Sequence, residues 1–258
     1  MPNFFIPLDL SIRFTLVFLR IAGIVVFVPF YNHRAFPNII KIALSVVITF
    51  TVFPVLNLQD FVTPLDAISL VLVAVREVFI GFVIGFAAQL VFTGIQFGGE
   101  LVTIQMGFSM ATILDPNQQE QITIISQIYN FLALIIFISI KVHYIFLIAA
   151  VNTFKSVPIG GFSYSEDLAG QIIRLFSELF VVGFYVASPV FVALFMTTIA
   201  LALISRAIPQ LNVFIILPLV QVLVGTVMII ASIRVTVVTF EFLFEGLGKD
   251  LQALITAM

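Results

Sequence analysis

Long apolar stretches separated by short polar clusters set the plan of this chain. Leu179–Ser205 and Ala207–Ile233 run without a charge and are parted by Arg206 alone. Val78–Gly99 and Gln121–Ile140 are also uncharged, Ile42–Gln59 is close to the length limit, and Ile12–Phe30 is apolar except for Arg13 and Arg20. A helix crosses a bilayer core with about 20 mostly apolar residues, so the pattern predicts about six spanning helices. The runs are continuous, as in Leu132–Ile138, whereas the strands of an outer-membrane barrel alternate apolar and polar residues. Helices, which satisfy their own backbone in lipid, are the expected element.

Turns are expected where Pro, Asn, Gly and charge collect. These are Asn32–Asn38, Asn57–Asp66, Asp115–Glu120 and the longest polar stretch, Lys155–Gln171, which carries Pro158, Gly160 and Gly161. Glu241–Met258 reads as an amphipathic terminal helix at a surface. No repeat is visible, and residues 1–258 read as one helical domain. Arg34 and Lys41 mark the first loop as cytoplasmic, with Asp60 and Asp66 on the opposite side.

Composition strengthens the membrane reading. Of 258 residues, 62% are hydrophobic and 9% are charged, too few charges to cover a water-soluble globule. A basic nucleic-acid-binding face is excluded, as is a disordered chain. Cysteine is absent, and His33 and His143 alone make no metal site. Met1–Pro7 has no basic region and carries two prolines, so it is not expected to be a cleaved signal peptide.

Charges inside apolar segments are costly and are functional candidates by default. Here they are Arg20, Arg76, Glu77, Glu100 and Arg206. Arg76 and Glu77 could form an ion relay. Adjacent residues point about 100° apart on a helix, however, so the two do not simply pair. The simpler reading is that each pairs with another helix or reaches an interface. For Arg20 and Arg206 that means subunit pairing or anchoring. Gly81 and Gly85, four residues apart on the face that also carries Glu77, would let helix backbones approach closely. His143, beside Lys141 and Tyr144, reads as an interfacial polar group rather than a pH sensor.

Gln96–Pro116 is polar for a lipid-facing helix and apolar for a solvent loop. Such backbone is tolerated at membrane depth where it is buried in protein or lines a cavity. Met106–Leu114 could therefore gate a pore by apolar closure, with Gly107 as a bend and Asp115-Pro116 as a helix stop. An ordinary packed loop is the alternative.

The run Ser205-Arg206-Ala207-Ile208-Pro209-Gln210-Leu211-Asn212-Val213-Phe214 resembles the late-chain signature of the FliR family. Arg20-Ile21-Ala22-Gly23, Glu77 with Gly81 and Gly85, and Gln105-Met106-Gly107 leading to Asp115-Pro116 follow the family's order. The resemblance implies an all-α, polytopic membrane protein, with a FliP-like part joined to a FliQ-like part in a helical export-gate assembly. It implies FliP-like, FliQ-like, FlhB-like and FlhA-like partners, unfolded export substrates, and a place in the inner membrane at the flagellar basal body. It also implies that the loop at about 105–114 plugs the closed pore, through Met106, Phe108, Met110, Ile113 and Leu114. No cofactor and no enzymatic activity are expected, since no phosphate loop or nucleophile constellation is present. Three other readings stay open. One is an injectisome homologue. The second is a small-solute transporter using Arg76, Glu77 and Glu100 with helices broken near Gly98–Gly99 or Pro209. The third is a passive membrane scaffold.

Overall fold

The computed structural model describes residues 8–29, 37–56, 66–108, 124–208, 210 and 212–258, with the side chains of 213–215 left aside. Met110, Ile113, Leu114, Asp115, Pro116 and Pro209 lie outside the described residues, as do His33, Arg34 and Asp60. Seven α-helices appear among the described residues: α1 Leu8–Phe27, α2 Asn38–Val52, α3 Ala67–Gln105, α4 Ile124–Ser139, α5 Val142–Ser156, α6 Glu166–Ala207 and α7 Val213–Ala257. A 3-10 turn, Phe53–Val55, follows α2. The fold is all-α, with no strand among the described residues.

Among the described residues five helices are long and apolar enough to cross a membrane, and a sixth span results if α4 and α5 count as one broken crossing. The polytopic architecture expected from the apolar runs is therefore present. Some details differ from the sequence reading: of the turn expected over Lys155–Gln171, Lys155–Ser156 closes α5 and Glu166–Gln171 opens α6. Glu241–Met258 forms no separate helix; Glu241–Ala257 is the end of α7, which runs for 45 residues. Val142–Ser156 is a helix of 15 residues, shorter than a span and polar at its end, which hydropathy alone passes over. It starts after Lys141, whose φ of 61° is left-handed, so the chain turns there.

The chain forms two compact units and passes between them within α3, α6 and α7 and at the turn between α4 and α5. The first comprises residues 1–90, 141–175 and 245–258. Its core includes Leu16, Val17, Ile21 and Val25 of α1 with Val52, Phe154 and Ile159. Ser165 caps α6 by accepting the Leu168 N–H at 3.0 Å, with Glu166 and Asp167 in the first turn favoured by the helix dipole. The Ser165 hydroxyl also donates to the Ala257 carbonyl, and Arg174 pairs with Asp250 at 2.8 Å. These contacts tie the start of α6 to the end of α7.

The second unit comprises residues 91–140 and 176–244. Its centre is aromatic: the rings of Phe92, Phe137 and Phe244 meet pairwise with centroids 5.3–5.6 Å apart. Gly98 and Gly99 do not break α3. A Cβ on Gly98 would meet the Gly183 carbonyl oxygen at 2.9 Å, and one on Gly99 would meet Ser126 Cα at 2.6 Å. The two glycines admit α6 and α4, and the helix is continuous through them. Of the two breaks the transporter reading offered, the one at Gly98–Gly99 is absent, and Pro209 lies outside the described residues.

Only 17% of the apolar window within Ile216–Ala257 is buried inside the chain. Phe50, Ile230 and Phe242 are among the exposed apolar side chains. Lipid or neighbouring protein must cover such surface.

Candidate functional site

Within the first unit, α1 and α3 cross backbone to backbone. A Cβ on Gly81 would strike the Arg20 carbonyl oxygen and lie 2.9 Å from Gly23 Cα. One on Gly23 would lie 3.0 Å from the Val78 carbonyl oxygen. One turn further, a Cβ on Gly85 would lie 3.1 Å from the Ile24 carbonyl oxygen. The obstacles are largely backbone, so the glycines at 23, 81 and 85 set how closely the helices approach.

One turn before Gly81, the same face carries Glu77. Because the backbones are so close, its carboxylate meets Arg20 directly. Arg20 Nε donates to Glu77 Oε2 over 2.6 Å, with both side chains 0% exposed. Arg20 Nη1 donates to the Val157 carbonyl over 2.9 Å, and the Phe154 ring centroid lies 4.1 Å from Arg20 Cζ. Glu77 Oε1 accepts the Gly160 N–H at 2.9 Å. A buried charge persists only when paired and hydrogen-bonded, and this arrangement meets both conditions. Arg20 Nη2 has no hydrogen-bond partner among the described residues, and the aromatic face supplies part of the compensation.

The segment after α5 is shaped for this contact. Gly161 N–H donates to the Pro158 carbonyl over 2.9 Å, closing a turn whose third residue, Gly160, has φ 76°. A type II turn needs a positive φ at that place, and glycine supplies it. The turn aims the Gly160 N–H at Glu77, while the Gly160 carbonyl accepts from Arg76 Nη1 at 3.2 Å. Arg76 and Glu77 thus diverge from one helix, Glu77 inward and Arg76 to the exposed side. Phe154, Val157 and Gly160 complete the cluster and were not singled out from the sequence. The Pro-Ile-Gly-Gly turn was the only local signal for them.

The end of α3 belongs to the second unit. The Gly107 N–H donates to the Ile104 carbonyl at 3.0 Å and the Phe108 N–H to the Thr103 carbonyl at 3.3 Å, with Gly107 at φ 82°. This pair of bonds is a Schellman cap with glycine at its left-handed position. Gly107 therefore ends a helix, and Gln96–Gln105, the first part of the stretch that is polar for a lipid-facing helix, is the last part of that helix. Met106 is 1% exposed and packs against Gly225, where a Cβ would come within 2.7 Å of Met106 Cγ. In this chain Met106 anchors the helix end, whereas Phe108, just beyond the cap, is 38% exposed.

Glu100 and Arg206 stand exposed in the second unit, outside the cluster. Arg206 lies in the last turn of α6, where the helix dipole favours a cation. His143 packs at a tilt beside Tyr144, with ring centroids 4.4 Å apart.

The family model described as "Bacterial export proteins, family 1" matches residues 11–247. Flagellar biosynthetic protein FliR of Escherichia coli K12 is 30% identical over 198 residues, 77% of this chain and 75% of that protein. The protein of the same name from Bacillus subtilis 168 is 29% identical over 243 residues, 92% of each chain. Yop proteins translocation protein T of Yersinia pestis is 30% identical over 166 residues, 64% of this chain and 63% of that protein.

Proposed function

The chain belongs to the FliR family of bacterial export proteins, and we propose that it is a subunit of a flagellar type III protein export gate in the inner membrane, at the basal body. The observation that carries this reading is the extent of the family match, residues 11–247, which takes in every helix except the ends of α1 and α7. The large exposed apolar surface supports it, since an assembly of FliP-like and FliQ-like subunits would cover such surface. The FliP-like and FliQ-like parts of the chain and its FlhB-like and FlhA-like neighbours are part of the same proposal.

In this reading the chain does no bond chemistry. It forms part of the wall of a conduit for unfolded flagellar proteins, and its mid-chain segment closes that conduit by apolar packing. The half-exposed Phe108 beyond a glycine-capped helix end supports a plug that begins there. Met110, Ile113 and Leu114 would continue it, and Asp115-Pro116 would end it. Met106, buried against Gly225, would fasten the plug to its helix. Methionine and phenylalanine contacts adapt to many sequences, which suits a channel that must pass varied chains. Arg20, Glu77 and the Pro158–Gly161 turn would keep the first unit rigid.

The Yersinia match keeps an injectisome homologue as the second reading, and the flagellar relatives cover more of this chain. The test is purification from membranes of the native host. A complex with FliP-like and FliQ-like chains is expected, without nucleotide hydrolysis once other components are removed. A monodisperse solitary chain, or hydrolysis by the purified gate, would contradict the proposal.

A further inference from the structure

Two grooves in the first unit meet at a single cation. The first, about 380 Å³, lies between α5 and the end of α7. The second, about 530 Å³, lies between α2 and α5. Both are bordered by Ile148, Asn152 and Lys155, so the exposed edge of α5 forms the ridge between them.

Each groove is lined by both polar and apolar side chains. In the first, Ser156, Gln252 and Thr256 join Lys155 as polar lining, while Ile145, Gly248 and Leu251 are apolar lining. The second is apolar apart from Thr51, Asn152 and Lys155. No carboxylate lines either groove among the described residues, and no ion pair of Lys155 is formed among them. Asp250, on α7, is taken by Arg174 at 2.8 Å. Lys155 also lies in the last turn of α5, where the helix dipole alone would favour a cation. That explanation accounts for the charge but not for two apolar channels converging on it.

We propose that this paired groove binds a two-chain phospholipid with an anionic headgroup, its phosphate on Lys155 and one acyl chain on either side of the α5 ridge. One cation, hydroxyl and amide donors, and two apolar channels match the parts of such a lipid in number and order. The absence of a lining carboxylate favours a net negative headgroup over a zwitterionic one. Each cleft also falls within the size range of ligand sites, about 300–1,000 Å³. Gly248 keeps the first channel open: the nearest atoms to a Cβ built there are those of the Ile145 side chain, at 3.8 and 3.9 Å. A larger side chain at 248 would enter the space assigned to the acyl chain.

The test uses the full chain in the assembly in which it is extracted from membranes. It is placed in nanodiscs of equal phosphatidylglycerol and phosphatidylethanolamine, and retained lipid is identified by native mass spectrometry. Phosphatidylglycerol is expected to be retained in preference. Lys155→Gln should lower its retention about fivefold, the effect of one cation beside an anionic headgroup. Lys155→Arg should keep retention, and Gly248→Leu should reduce retention with the cation intact. Equal retention of the two lipids by the unaltered chain would overturn the proposal. So would unchanged phosphatidylglycerol retention in Lys155→Gln and Gly248→Leu, or a photo-reactive group at position 252 that crosslinks to a polypeptide instead of lipid.

Discussion

Arg20 and Glu77 stand 57 residues apart in sequence and 2.6 Å apart in the fold, on two helices whose glycines allow their backbones to touch. The pair holds three segments together, because Glu77 also takes the Gly160 N–H and Arg20 also donates to the Val157 carbonyl. It is closed inside one chain. The charge therefore serves the internal frame, where the sequence alone suggested subunit pairing or interface anchoring for Arg20.

Removing one member should cost far more than removing both. Arg20→Met leaves Glu77 buried without its counter-ion, and a loss of about 3–5 kcal/mol is expected. The double variant Arg20→Met/Glu77→Leu should recover most of that loss, because replacing a buried pair by apolar groups is often neutral. Thermal unfolding of the detergent-purified chain, run as a double-mutant cycle, measures the coupling. Additive effects would show that the two charges act independently.

Gly81→Ala should be damaging although alanine favours helix. Its Cβ would meet the Arg20 carbonyl and the Gly23 and Ile24 backbone, none of which can move aside without parting α1 from α3. Gly246→Ala is the control, since nothing lies within 4 Å of a Cβ there. The control should gain up to about 1 kcal/mol from helix propensity. Yield of folded protein and swimming in soft agar should fall for Gly81→Ala and hold for Gly246→Ala.

The end of α3 offers a third test. Gly107 holds φ 82°, a conformation that costs alanine roughly 1–2 kcal/mol. Gly107→Ala should fray the helix end, seen as faster hydrogen exchange at Met106, Gly107 and Phe108. Phe108→Ala should leave that protection intact and raise ion leak through the membrane. A variant at Phe108 with no added leak and normal export would count against a closing role for that ring.

A pH effect is expected at the start of α3. The Asp66 carboxylate accepts from the Ser69 N–H at 2.8 Å, and its bonds to Ser69 hold its pKa below the ordinary value. Because the folded pKa is the lower one, the stabilisation is full above the ordinary carboxylate value and fades as pH falls through the lowered one. Exchange protection at Ser69, corrected for intrinsic rate, should therefore weaken in acid. Asp66→Ala should remove that dependence.

The helical plan was legible because spanning helices need long apolar runs, and Leu179–Ser205 and Val78–Gly99 have them. The glycine spacing at 81 and 85 pointed to a close helix approach, but the partner helix had no local signal. Nothing near Glu77 in sequence marks Arg20 or Gly160 as its neighbours, since a buried ion pair is made by tertiary packing. Composition made Gln96–Pro116 too polar for a lipid-facing helix; in its helical first part Gly98 and Gly99 face α6 and α4 instead of lipid. The α5 helix was missed because its 15 residues fall short of a span.

The central claim, a subunit of a flagellar protein export gate, is tested most directly by secretion in the native host. The gene for this chain is deleted, and early flagellar proteins are measured in the medium and in the cytoplasm. Secretion is expected to stop while the cytoplasmic pool persists, and the unaltered chain supplied from a plasmid should restore it. Secretion that continues at the normal rate without this chain would contradict the account.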